Sequence, residues 1–295
     1  MSVKQQVDSA ALLALGVLAL VWGYNWVAVK VALEYAAPFT FAAARSLGGG
    51  LVLLLILIAC GRLRRPRRPG LTLLLGLLQT ALFTSFTCWA LVHGGAGKSA
   101  ILVFTMPFWV ILLAPFTLGE RLGGAQWLPV LLAFAGLTLI FSPWHHAPDS
   151  LSGLLAIAAG ISWALSVLVA KRIPTQDRWD LLSLTGWQML LGALPLLALA
   201  WWVPGRPTDW TPVYLATLGY NVLFANALAW FLWLFIVNRL PATLSGLTSL
   251  VIPVVGVLSG WLQLGERPPP SEALGMVLVL AAIALLSFMP RPSRN

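Results

Sequence analysis

The chain reads as a succession of apolar runs, each about as long as a bilayer is thick, separated by short polar connections. Ten runs can be marked, at roughly 10–33, 38–60, 71–92, 98–117, 125–142, 151–171, 181–203, 211–236, 241–263 and 272–289. A helix that crosses the hydrocarbon needs about 20 mostly apolar residues, and these runs approach or exceed that length. Backbone amides and carbonyls in lipid must pair within their own segment or within a closed barrel. Barrel strands are about half as long and alternate apolar with polar residues, which these runs do not. The expected fold is therefore an all-α membrane protein with ten transmembrane helices. The connections, such as Gly61–Gly70, Ser142–Ser150 and Arg172–Asp180, carry turn residues and charge and leave no room for a soluble domain. The first run follows Lys4 as the core of a secretion signal would, but it stays apolar through Trp22 to about Leu33. No small-residue cleavage site follows a short core, so it is read as an uncleaved first span.

The runs also repeat. Pro107 is followed eleven positions later by Leu118-Gly119-Glu120-Arg121, and Pro253 eleven positions later by Leu264-Gly265-Glu266-Arg267. Trp22 and Lys30 of the first run recur with the same spacing as Trp163 and Lys171 of the sixth. Five helices per copy is an odd number, so the second copy must insert upside down. The expectation is two inverted five-helix repeats, residues 1–146 and 147–295, around a central cavity, the plan of many secondary transporters.

Composition removes the alternatives. Hydrophobic residues make up 59% of the chain and charged residues 9%, against roughly 25% charged in soluble domains, too few to cover a water-facing surface. The net charge of +9 does not point to nucleic acid, because the basic residues lie in short connections and not in an aromatic-lined groove. They read as topology signals and contacts to membrane lipids. With the N-terminus cytoplasmic, inner segments hold 13 basic residues, from Lys4 through the Arg62–Arg68 loop to Arg294, and outer segments hold 3, Lys98, Arg206 and Arg267. Both termini are expected in the cytoplasm, across a bacterial inner membrane. Cys60 and Cys88 show no motif spacing and read as packing residues.

At Trp22-Gly23-Tyr24-Asn25-Trp26-Val27-Ala28-Val29-Lys30, followed by Pro38 and Arg45, the chain resembles the opening of an EamA domain of the drug/metabolite transporter superfamily. The two proline-to-Leu-Gly-Glu-Arg stretches resemble the end of that domain, once in each half, so the resemblance covers nearly the whole chain. Within the superfamily the length and the aromatic-rich helices are most similar to aromatic amino-acid exporters of the YddG type. The resemblance implies ten helices, a central cavity and alternating access between the halves. The second half has no clear counterpart to Arg45, so any role of that residue is not symmetric.

Enzyme chemistry at membrane depth needs a nucleophile with its base, paired carboxylates or metal ligands. No run has Asp or Glu near its midpoint. His93 lies at a helix end, His145 and His146 lie in a loop, and Gly97-Lys98-Ser99 has no partner base. No catalytic residue, metal or cofactor is expected. Proton-driven carriers place a carboxylate within the membrane, while Glu34, Glu120, Glu266 and Glu272 all lie near run ends, so uncoupled export is the simpler expectation. Coupling through Glu34 or His93 is the alternative.

A solute site belongs near the midplane where the repeats meet, and polar or aromatic side chains at that depth need a cavity or a neighbouring helix to face. The candidates are Trp22, Asn25, Arg45, Gln79, Phe83, Trp163, Ser166, Asn226, Trp230 and Ser245. Trp faces can hold an ammonium group, and an arginine inside the membrane can grip a carboxylate with both arms of its fork. Arg45 can equally snorkel to the outer headgroups. Tryptophans near run ends (Trp127, Trp144, Trp179, Trp201, Trp202 and Trp210) read as interfacial anchors. Pro107 and Pro253 read as kinks or hinges. These features fit a monomeric carrier of amino acids or related small metabolites. Carriers of nucleobases, nucleosides or lipophilic drugs, and a channel, are the competing readings.

Overall fold

The computed structural model describes residues 9–118, 124, 127–141, 150–237, 239 and 248–288. Among these residues all regular structure is helical. We label the helices α1 (Ser9–Ala32), α2 (Pro38–Ala59), α3 (Pro69–His93), α4a (Ala96–Val103), α4b (Met106–Leu118), α5 (Trp127–Phe141), α6 (Ser150–Ala170), α7 (Arg178–Trp202), α8 (Pro212–Ile236), α9 (Thr248–Leu264) and α10 (Pro270–Phe288). Eight spans among the described residues are long and apolar enough to cross a membrane, with α4a and α4b forming one of them. Trp127–Ile140 and Leu250–Leu264 are apolar but shorter. The rest of the fifth and ninth expected runs falls partly outside the described residues.

Local chemistry sets the helix ends. Prolines open α2, α3, α8 and α10, where a missing N–H costs nothing and φ is already helical. The Asp177 carboxylate caps α7 by accepting from the backbone N–H of Trp179 and Asp180. Those bonds favour the ionised form and hold its pKa below the usual carboxylate range.

Helix partners come in matched sets. α1 lies along α9 and α6 along α4a and α4b, α3 lies along α6 and α1 along α8, and α2 pairs with α7 and α5 with α10. Exchanging the first five helices for the last five leaves this set of pairs unchanged. Two helices also carry π-helical segments, Gly76–Leu82 in α3 and Tyr220–Leu228 in α8. The offset that carries Pro107 onto Pro253 carries Gly76–Leu82 onto 222–228, inside the second of them.

Close approach is made possible by small residues, as expected where lipid tails give helices no hydrophobic reason to associate. α3 and α7 touch at Gly76 and Gly192. A Cβ on Gly192 would collide with the Gly76 carbonyl, and one on Gly76 would sit 2.6 Å from the Gln188 carbonyl.

The two prolines of the repeat differ in structure. Pro253 lies inside α9. Pro107 lies at the start of α4b, after a two-residue break at Phe104 and Thr105, so it opens a new helix and does not kink a continuous one. Cys88 is buried as expected, but Cys60 is exposed as the C-cap of α2. Trp201, Trp202 and Trp210 are strongly exposed, consistent with interfacial positions. Trp179 is instead held between the guanidinium groups of Arg62 and Arg178, 5.4 and 4.9 Å from its ring. Trp144, His145 and His146 lie outside the described residues.

Candidate substrate cavity

The two π segments face one interior cavity of about 140 Å³. A π turn shifts main-chain hydrogen bonds one residue beyond the usual helical partner and often marks a functional site. Here side chains from other helices add a further hydrogen bond to a carbonyl of each segment. Ser162 Oγ of α6 donates to Leu78 O, at 2.7 Å, and Trp22 Nε1 of α1 donates to Ala225 O, at 2.9 Å. Tyr220 Oη donates to Val21 O, at 2.7 Å, next to the second of these contacts. The unwound stretches are therefore pinned rather than loose.

The π segments also set the cavity's polar wall. Thr80 Oγ1 donates to Gln188 Oε1 of α7, at 2.7 Å, directly beside the Gly76–Gly192 contact. Asn226 Nδ2 donates to Arg45 O of α2, at 3.0 Å. Gln79 belongs to the same π segment as Thr80 and lines the cavity with it.

Much of the remaining lining is aromatic. Trp163 stands 5.6 Å from Phe83 and 5.4 Å from Phe104, the latter edge-on. Trp22 meets Trp230 edge-on at 5.8 Å. These separations and tilts are the favourable ones for ring pairs, so the wall is shaped by its own packing.

Of the residues expected at the site, Trp22, Asn25, Arg45, Gln79, Phe83, Trp163, Asn226 and Trp230 line this cavity. Ser166 does not. Its hydroxyl donates to Trp163 O one turn back in its own helix, and the residue is fully buried, so it satisfies itself locally in the manner common for serine in helices. Ser245 lies outside the described residues. Arg45 does not snorkel. It is 9% exposed and opens on the cavity.

Among the lining residues, sequence reasoning missed Trp26, Ser46 and Phe104, and also Thr84, Met189, Ala225 and Ile252. Trp26 follows Trp22 by one helical turn and was legible as sharing its face. Phe104 carried no such signal, because its placement comes from the break before Pro107. Neither did the π segments, which leave the apolar pattern of α3 and α8 uninterrupted.

Comparison with known proteins fits this architecture. A solved crystal structure superposes with a TM-score of 0.62 over 94% of this chain and 96% of that one, at 21% identity, a likeness of fold alone. The chain is 30% identical to a probable amino-acid metabolite efflux pump of Escherichia coli (strain K12), over 92% of this chain and 94% of that protein. It is 26% identical to the uncharacterized transporter YoaV of Bacillus subtilis (strain 168), over 91% and 94%. The model of the EamA-like transporter family matches twice, at residues 9–142 and 151–288. With matches across nearly its whole length, the chain belongs to the EamA-like transporter family: it is a multi-pass membrane transporter and not an enzyme.

Proposed function

We propose that this transporter exports amino acids, aromatic and other neutral ones, or closely related metabolites, by alternating access of two inverted halves around the central cavity. The observation that carries this reading is the cavity's wall chemistry. Trp22, Phe83, Phe104, Trp163 and Trp230 line the cavity with aromatic rings, and two π segments add amide and hydroxyl groups. A small solute with an apolar or aromatic side chain and a polar head matches both kinds of lining. The cavity volume, about 140 Å³, is close to the roughly 150 Å³ of an engineered cavity that takes benzene. The name of the Escherichia coli relative, a probable amino-acid metabolite efflux pump, supports the same substrate class.

The described lining residues include no carboxylate, which favours movement down the solute's own gradient without ion coupling. The excess of basic residues on one set of connections supports a bacterial inner-membrane protein with both termini cytoplasmic. Ten spans in two halves, 1–146 and 147–295, acting as a monomer complete the reading.

The test is counterflow in proteoliposomes with radiolabelled phenylalanine, tryptophan, leucine and a set of nucleosides. Saturable exchange of amino acids is expected. Preference for nucleosides overturns the substrate class, and non-saturating flux overturns the carrier mechanism in favour of a channel.

A further inference from the structure

Arg45 is the one cation lining the central cavity among the described residues, and it is buried there without a carboxylate partner. Six carboxylates are described, and each is elsewhere: Glu34 beyond α1, Asp177 and Asp180 at the start of α7, Asp209 before α8, and Glu266 and Glu272 around the start of α10. The side chain next to the guanidinium is Cys88, a neutral thiol. Asn226 reaches Arg45, but it bonds to the main-chain carbonyl and not to the guanidinium, whose side-chain neighbour is the Cys88 thiol. A guanidinium carries five N–H donors and does not deprotonate in proteins. Burying such a group without an opposite charge costs free energy that folding must recover elsewhere.

A second group in the cavity is incomplete in the opposite sense. Asn25 Oδ1 is buried with no hydrogen-bond partner among the described residues, and Asn25 opens on the same space. Arg45 offers charge and further donors without an anionic acceptor. Asn25 offers an acceptor without a donor. Both border one volume of about 140 Å³, so one small molecule can engage both.

We propose that Arg45 is the anion anchor of the transport site, binding the carboxylate of the solute bidentately, while Asn25 Oδ1 accepts from the solute's amino group. This rests on the carrier reading above and narrows it. The solute must bear a carboxylate, and the matching amine without that carboxylate is rejected. The amine would leave Arg45 unpaired and bring a second cation beside it. Arg45 has no equivalent in the second half, so the solute lies in one orientation in a pseudo-symmetric cavity.

The test measures binding to the purified wild-type protein by thermal stabilisation for four ring-bearing probes: phenylalanine, 3-phenylpropionate, phenylalaninamide and phenethylamine. Phenylalanine should bind best. 3-Phenylpropionate should retain measurable binding, because it keeps the carboxylate. The amide and the amine should bind roughly ten- to a hundred-fold more weakly than phenylalanine, the effect expected for hydrogen bonds to a charged group. Arg45→Gln, with monodispersity confirmed, should remove the preference for the two carboxylates, and Arg45→Lys should fall between, because a point charge does not reproduce the fork. Phenethylamine binding as tightly as phenylalanine overturns the anchor, as does failure of both carboxylates to bind. Phenylalanine counterflow that persists despite equal amine binding would leave the amino-acid carrier standing and sink the anchor alone. Carboxylate binding that depends on Arg45, without amino-acid counterflow, would sink the carrier's substrate assignment and keep the anchor.

Discussion

Lys30 Nζ lies 3.1 Å from Glu266 Oε1, and this pair ties the end of α1 to the loop before α10. The same Glu266 carboxylate accepts from the first backbone N–H groups of α4a, Ala96 N at 2.6 Å and Gly97 N at 3.0 Å, while Lys30 also donates to Gly94 O at 2.7 Å. A carboxylate at a helix N-terminus satisfies orphan donors and meets the positive end of the dipole. A second pair, Lys98–Glu272 at 2.7 Å, joins α4a to α10 beside it. Both contacts run from the first five helices to the last five, and all four residues border a second pocket, separate from the central cavity.

Breaking this clasp should loosen the first five helices from the last five on the Lys30 side and admit reagent from that side. Lys30→Met or Glu266→Gln should raise the rate at which an impermeant thiol reagent on the Lys30 face labels a cysteine placed at Thr84, after Cys60 and Cys88 are replaced. Lys30→Arg should keep labelling low. The pair is partly exposed, at 28% and 19%, so a double-mutant cycle on stability should return a coupling near the upper end of the ~0.2–1 kcal/mol of exposed pairs. Unchanged labelling in both single variants would mean the clasp is only a helix cap.

Trp163 should matter for solute affinity more than for folding. It borders the cavity beside Phe83 and Phe104, which pack against its ring. A ring contact to an ammonium or apolar group is worth about 0.5–2 kcal/mol, so Trp163→Ala should weaken apparent affinity roughly two- to thirty-fold. The measurement is a full substrate titration on protein whose monodispersity matches wild type. Wild-type affinity and rate would reduce Trp163 to a packing residue.

Gly192 should tolerate no side chain. Its Cβ position is occupied by the Gly76 carbonyl and Thr80 Cβ, so Gly192→Ala must push α7 away from the π segment of α3. Overpacking of this kind costs about 1–3 kcal/mol, and the shift also loosens the Thr80–Gln188 bond. Gly219→Ala, where nothing lies within 4 Å, is the matched control. A melting experiment in detergent should show a clear drop for the first variant and little change for the second.

Concentration-driven flux should persist when the pH difference and the membrane potential are both collapsed. The described carboxylates lie at helix ends and in loops, and none lines the cavity. Flux measured in proteoliposomes with an uncoupler present checks this. Loss of exchange under those conditions would point to Glu34 or His93 as a coupling group.

The sequence alone determined the solvent this chain lives in, because 9% charge cannot cover a water-facing surface. It determined most of the helices, because each must carry its own backbone hydrogen bonds through lipid, and length and hydropathy record that requirement directly. It also exposed the repeat, and it marked Trp22, Asn25, Arg45, Gln79, Trp163 and Asn226 as side chains too costly to face lipid. Depth along a helix does not say which way a side chain turns once a neighbour can satisfy it, and so Ser166 was misplaced: its hydroxyl closes on its own helix. The π segments, the break before Pro107 and the Glu266 cap were invisible for a related reason. The π segments and the cap bring in partners far away in the chain, as with Leu78 by Ser162, Ala225 by Trp22, and Ala96 by Glu266. Only tertiary packing brings those partners within hydrogen-bonding distance, and only packing left Arg45 buried beside a thiol at the border of the cavity.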